Sequence, residues 1–144
     1  MTRKIAITGA SGSIGRMIVP RLAAAGFGLV LAGRDPQRLH RLFPDCETTG
    51  YDELPGRLAG CDAVLHLAVM NNDREAAERD FRAVNVDFLL RVAGMARDAH
   101  VPLFINATTI RALDERAGDP YTVTKREGEA ALAALDGLKS VNLR

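Results

Sequence analysis

The sequence predicts a doubly wound α/β fold, one parallel sheet between two layers of helices, and three observations carry that prediction. Short unalternating apolar runs, among them Ile5-Ala6-Ile7, Gly28-Leu29-Val30-Leu31-Ala32 and Asp62-Ala63-Val64-Leu65-His66-Leu67-Ala68, read as strands buried on both faces. Between them lie segments whose apolar residues recur with a helical period. Strand and helix alternate along the whole chain, which calls for right-handed crossovers, and a glycine-rich turn occupies the first strand-to-helix junction. The 144 residues suffice for one such domain, assigned to residues 1–144, and 47% hydrophobic with 26% charged residues describes a globular chain.

The elements follow in order. Ile5 to Ile7 is the first strand, and Ile14, Met17, Ile18, Leu22 and Ala25 mark the first helix. Gly28 to Ala32 is the second strand, closed by Gly33-Arg34-Asp35-Pro36, with Pro36 opening a short helix through Leu39 and Leu42. Pro44 to Gly60 is the least patterned stretch; Cys46 to Thr49 fits a third strand and Asp52 to Leu58 a short helix. Asp62 to Ala68 is a fourth strand, in which a lone His66 reads as a satisfied core residue rather than a base or ligand. Phe81, Val84, Phe88, Val92 and Met95 then define one long amphipathic helix from Glu75 to Arg97, its stripe widened by Leu89 and Leu90. Val101 to Ala107 is a fifth strand ending in Thr108-Thr109, Tyr121 to Leu135 a last helix, and Ser140 to Arg144 the opening of a sixth strand.

Composition excludes several classes of function. A net charge of +1 leaves no electrostatic footprint for nucleic acid or an anionic membrane. Two cysteines, Cys46 and Cys61, and three dispersed histidines make no zinc or disulfide pattern, so no metal site is expected and free thiols are. No apolar run reaches the length of a membrane span and the start lacks a leader pattern, so a cytoplasmic location is expected.

The turn Thr8-Gly9-Ala10-Ser11-Gly12-Ser13-Ile14-Gly15 is suited to a diphosphate. Gly9 lets the chain leave the strand, Gly12 removes a side chain that would hold the anion away, and Gly15 lets the helix approach the strand. Amides of the first helical turn, including those near Ser11, Ser13 and Ile14, and the helix dipole then face the ligand. In such sheets the ligand lies beyond the strand C-termini, which adds Arg34, Leu67 and Ala68 as cofactor contacts. Arg34 precedes Asp35 at the end of the second strand, and an arginine there suits a ribose 2′-phosphate, so NADP is favoured over NAD. A plain solvated loop charge is the competing reading of Arg34.

Tyr121 and Lys125 are four apart, hence on one helix face. A tyrosine of pKa about 10 becomes a base at neutral pH only if its phenolate is favoured by about 4 kcal/mol, and a neighbouring ammonium acts in that direction. Thr109 would hold a substrate oxygen while Tyr121 exchanges its proton. An incidental surface pair is the plain alternative.

Taken together, Thr8 to Gly15, Asp62 to Ala68, Val84-Asn85-Val86 and Tyr121-Thr-Val-Thr-Lys125 resemble the extended short-chain dehydrogenase/reductases, the NAD(P)-dependent epimerase/dehydratase group. The resemblance implies a Rossmann domain, a catalytic set of Thr109, Tyr121 and Lys125, with Lys125 also holding the cofactor, a bracing role for Asn85 and a small polar, often sugar-nucleotide, substrate. It also implies a homodimer through the helices of Glu75 to Arg97 and Tyr121 to Leu135. The sequence departs from the family where Ile110-Arg111-Ala112-Leu113 replaces Val-Tyr-Gly and a longer loop, and where it stops at Arg144, ahead of the family's substrate region. Cofactor elements are thus expected nearly complete and substrate elements mostly missing. Two alternatives to an oxidoreductase follow: a non-catalytic NADP(H)-binding sensor module, and a truncated remnant whose sheet edge, lacking its sixth strand, needs a partner.

Overall fold

Six parallel strands form one sheet in the order β3-β2-β1-β4-β5-β6, in a computed structural model that describes residues 1–73 and 75–144. The strands are β1 (Lys4–Thr8), β2 (Gly28–Ala32), β3 (Glu47–Thr49), β4 (Ala63–His66), β5 (Phe104–Ala107) and β6 (Ser140–Leu143). This is the Rossmann-type doubly wound arrangement: the chain steps outward from β1 to β3, returns to β4 beside β1, and steps outward again. The reversal leaves a crevice at the C-terminal ends of β1 and β4.

Helices cover both faces. On one, Val19 of α1 (Ser13–Ala24) and Leu39 of α2 (Pro36–Leu42) pack with Ile7, Leu29, Leu31 and Leu65. On the other, α4 (Leu89–Asp98) and α5 (Pro120–Ala133) bring Leu89, Val92, Ala93, Ala96 and Leu132 against Ala6, Val30, Val64 and Phe104. Alternate strand residues go to opposite cores, which is why these runs are apolar without a break.

Several elements differ from their sequence reading. The Asp52 to Leu58 helix is a single 3₁₀ turn, Leu54–Arg57, with Pro55 and Gly56 at its centre, neither of which sustains an α-helix. The long helix begins at α3 (Glu78–Arg82) rather than Glu75, and between α3 and α4 the segment Ala83–Phe88 is π-helical. The third, fourth and fifth strands are shorter than drawn, and β6 is paired along its whole length, Ser140 to Leu143 with Phe104 to Ala107. The sheet therefore does not lack its sixth strand; β6 is itself an edge, with Val141 and Leu143 exposed.

Candidate functional site

The site is built where β1, β4 and β5 end. Gly9 leaves β1 with φ +70°, and a Cβ at this position would lie 2.5 Å from the Ala68 amide nitrogen, so the turn and the end of β4 are in direct contact. At Gly15 a Cβ would come within 2.3 Å of the Ala10 carbonyl oxygen, so the helix and turn close on each other only around glycine. Arg16 Nε donates to the Ser11 carbonyl at 2.9 Å and fixes the turn from outside. Gly12 is the N-cap, has no side-chain cap, and is followed by a first turn without acidic residues. A Cβ on Gly12 would meet only the Gly9 carbonyl, at 3.3 Å, and would fill the space before the helix. The amides of Ser13, Ile14 and Gly15 precede the first intrahelical hydrogen bond, from Arg16 N to the Gly12 carbonyl. Bare amides, an uncapped helix end and an unfilled approach fit a dinucleotide diphosphate.

At the end of β2, Asp35 accepts a hydrogen bond from Arg38 N and caps α2. Arg34 beside it is exposed. Tyr51, which the sequence reading passed over, sits edge-on to Phe88 with ring centroids 4.7 Å apart. Burial raises its pKa, while the Gly9 backbone and the Arg34 charge pull the other way.

Thr8, His66, Asn106 and Asn142 stand in register across β1, β4, β5 and β6. Thr8 Oγ1 lies 2.8 Å from His66 Nδ1 and accepts from the Ala68 amide at 3.4 Å, so the imidazole is the satisfied core group the sequence suggested. Asn106 Nδ2 donates to Asn142 Oδ1 at 3.0 Å. Above this row lies Lys125. It is buried, with Nζ donating to the Ala107 carbonyl at 2.8 Å, and burial lowers its pKa to about 8 against an opposing pull from Glu129.

Tyr121 is half-buried in the first turn of α5, on the face that also carries Lys125. It borders a groove of about 310 Å³ with Phe81, Ala76, Pro120, Asn72, Glu75 and Asp119. Thr109 Oγ1 accepts from Arg111 N at 3.3 Å and caps the 3₁₀ turn Ile110–Leu113, which leaves its hydroxyl hydrogen free to donate. Its neighbour Thr108 instead donates to Glu129 Oε1 at 2.6 Å. Leu67 and Ala68 are half-buried where β4 meets the turn.

The supporting residues come from distant elements. Asn85 lies in the π-helical segment and braces three groups. Its Oδ1 accepts from Met70 N at 2.9 Å, and its Nδ2 donates to the Met70 carbonyl at 3.2 Å and to Thr124 Oγ1 at 3.1 Å. The approach is close because Gly128 faces the Asn85 carbonyl, where a Cβ would sit 2.5 Å away. Arg126 donates to the carbonyls of Ala112, Asp114 and Ala117 and so ties the 110–118 segment to α5. Glu129 and Arg126 were missed in the sequence; only the four-residue interval from Lys125 to Glu129 pointed to the first. Among the described residues no cluster of His, Cys, Asp or Glu could hold a metal ion, and no helix is long and apolar enough to cross a membrane.

A family model described as NAD dependent epimerase/dehydratase matches residues 5–144. The chain belongs to that family. This epimerase/dehydratase chain is 34% identical over 140 residues to a ceramide reductase of Caulobacter vibrioides, over 92% of its own length and 42% of that protein. It superimposes on a short-chain dehydrogenase/reductase superfamily protein of Agrobacterium tumefaciens, solved with NAD, with a TM-score of 0.79 at 24% identity, covering 99% of this chain and 48% of that one. A UDP-glucose 4-epimerase of Thermotoga maritima, solved with UDP-glucose, gives a TM-score of 0.80 at 21% identity, with 98% and 54% coverage. The epimerase/dehydratase chain thus spans about half the length of the relatives it matches.

Proposed function

We propose that this chain carries the cofactor-binding and proton-transfer half of an NAD(P)-dependent oxidoreductase of the epimerase/dehydratase type, acting on a hydroxyl or carbonyl of a small polar substrate. The observation that supports it best is Lys125, buried, held to the Ala107 carbonyl and set one helical turn from Tyr121, at the same sheet end as the glycine turn. In this reading the first-turn amides of α1 hold the diphosphate and Lys125 the ribose next to the ring, and the bound nucleotide supplies or accepts hydride. Tyr121 gives its proton to the substrate oxygen in the reductive direction and takes it back in the oxidative one. The Lys125 cation favours the phenolate form. Thr109 donates a hydrogen bond to the same oxygen and orients it.

Two features support a preference for NADP: Arg34 is the charge left at the end of β2, and Asp35 is engaged in capping α2. The solved relative with bound NAD argues for the family's usual nucleotide, and paired titrations with NADH and NADPH decide. For the substrate, the named relatives offer two classes, sugar nucleotides and a long-chain amide lipid. A homodimer through the α3 to α4 run and α5 belongs to the same reading, supported by the half-buried Leu90 beside the core residue Leu89, as does a reducing compartment, supported by the free Cys46 and Cys61.

The test follows nucleotide absorbance with a panel of UDP-sugars, simple ketones and keto-lipids. Saturable oxidation or reduction with one class supports the enzyme. Nucleotide binding with no turnover on any of them makes the chain a nucleotide-responsive module instead.

A further inference from the structure

Glu129 stands at the meeting point of three elements. Its Oε1 accepts from Thr108 at the end of β5 at 2.6 Å, and its Oε2 accepts from Arg144 Nη2, just past β6, at 2.6 Å. The carboxylate side chain is 12% exposed, so these are shielded charge-assisted bonds rather than a solvated surface pair. Four residues separate it from Lys125, which places both on one face of α5.

We propose that Glu129 is a positioning residue for Lys125: clamped between Thr108 and Arg144, its carboxylate presents a fixed negative charge to the ammonium one helical turn back along α5. Two consequences follow from this placement. Thr108 is the residue after Ala107, whose carbonyl accepts the Lys125 hydrogen bond, so the Thr108 to Glu129 bond also steadies the acceptor that Lys125 uses. Arg144 ties the edge strand to the same carboxylate, so the C-terminal end of β6 is linked to the charge state of the site.

The groups that face Lys125 have opposed effects. From β4, His66 is neutral, because burial and then the Lys125 charge itself hold its pKa down to about 3. From α5, Tyr121 is one turn before it and Glu129 one turn after. Arg144 faces Glu129 and offsets part of its charge. Burial favours a neutral amine, and Glu129 is the group that opposes burial.

Lys125 is one of only three lysines, with Lys4 and Lys139, so its side-chain NMR signals can be assigned by their loss in Lys125→Met and titrated directly in the nucleotide-free chain. Glu129→Gln is expected to move the Lys125 midpoint downward from about 8. Arg144→Gln, which removes the competing cation, is expected to move it upward. Opposite shifts are the signature of a charge role, since loss of mere packing has no reason to change sign between the two. An unmoved midpoint in Glu129→Gln, or shifts of one sign in both variants, overturns the proposal. Should Glu129→Gln fail to fold, Arg144→Gln decides alone, and no rise there overturns it. The catalytic meaning rests on the function proposed above, but this readout needs neither substrate nor turnover, so either can fail without the other.

Discussion

Thr8 Oγ1 and His66 Nδ1 stand 2.8 Å apart across the β1 to β4 ladder, and the imidazole they fix is buried between Phe88 and Phe104. Burial, then the Lys125 charge, lowers its pKa from 6.5 to about 3. The unfolded chain therefore takes up this proton near pH 6.5, whereas the folded chain takes it up only near pH 3. The unfolded state binds more protons in that window. The contribution of a neutral His66 is thus complete above the unfolded pKa and is lost as pH falls toward the folded one, at about 1.4 kcal/mol per pH unit. Urea unfolding between pH 7 and 4 measures it. His66→Gln should flatten the slope, and parallel profiles for the two proteins would remove His66 as its source.

Tyr121→Phe should leave nucleotide affinity unchanged and lower turnover by about 10²- to 10⁴-fold, the usual scale of a lost general acid. Lys125 loses its proton as pH rises through about 8, so support for the phenolate fades on the alkaline side. Stopped-flow absorbance with the best substrate of the panel, set beside a fluorescence titration of NADPH, gives both quantities. Undiminished turnover in the Phe variant excludes Tyr121 from the proton transfer.

The three turn glycines should separate by substitution with alanine. Gly9→Ala and Gly15→Ala meet backbone at 2.5 and 2.3 Å, and Gly9 also has positive φ, so both should lower the melting temperature markedly. Gly12 has φ −75° and meets only one atom, at 3.3 Å, so Gly12→Ala should fold and lose nucleotide affinity. Calorimetry and nucleotide titration on the three variants check the division. Equal loss of stability in all of them would deny Gly12 a ligand-facing role.

Asn85→Ala would strip partners from both the Met70 amide and the Met70 carbonyl. A loss of about 1–3 kcal/mol is expected, the cost of leaving such groups unpaired. Amide exchange at Met70 should quicken with it, and unchanged protection there would show that the brace is dispensable.

Much of this architecture was legible because it depends on local pattern. The glycine turn, the unbroken apolar run of β2 and the register-bearing residues of β4 announce themselves within a few positions. The π-helical turn at Ala83–Phe88 does not, since its apolar spacing still suits an α-helix, and the contacts that Asn85 makes from it, with Met70 and Thr124, are distant in sequence. Tyr51 and Arg126 were illegible for the same reason: one takes its meaning from Gly9 and Arg34, the other from carbonyls of a loop with no pattern of its own. Pro20 lies inside α1, and the helix continues past it to Ala24.

Arg34→Ala should weaken NADPH more than NADH, because a guanidinium at the end of β2 gains far more from an anionic 2′-phosphate than from a neutral ribose hydroxyl. Competitive titration of the two nucleotides reads the ratio. Equal weakening would reduce Arg34 to general attraction for the diphosphate.

The central position of β1 bears on how the protein is made. Its neighbours on the two sides are β2, which follows after a short helix, and β4, whose Ala63 to His66 pair with Ile5 to Thr8 from far along the chain. During synthesis one flank of β1 stays bare until His66 has left the ribosome, and closing so long a loop is slow. An apolar strand waiting in that state is open to mispairing with another chain.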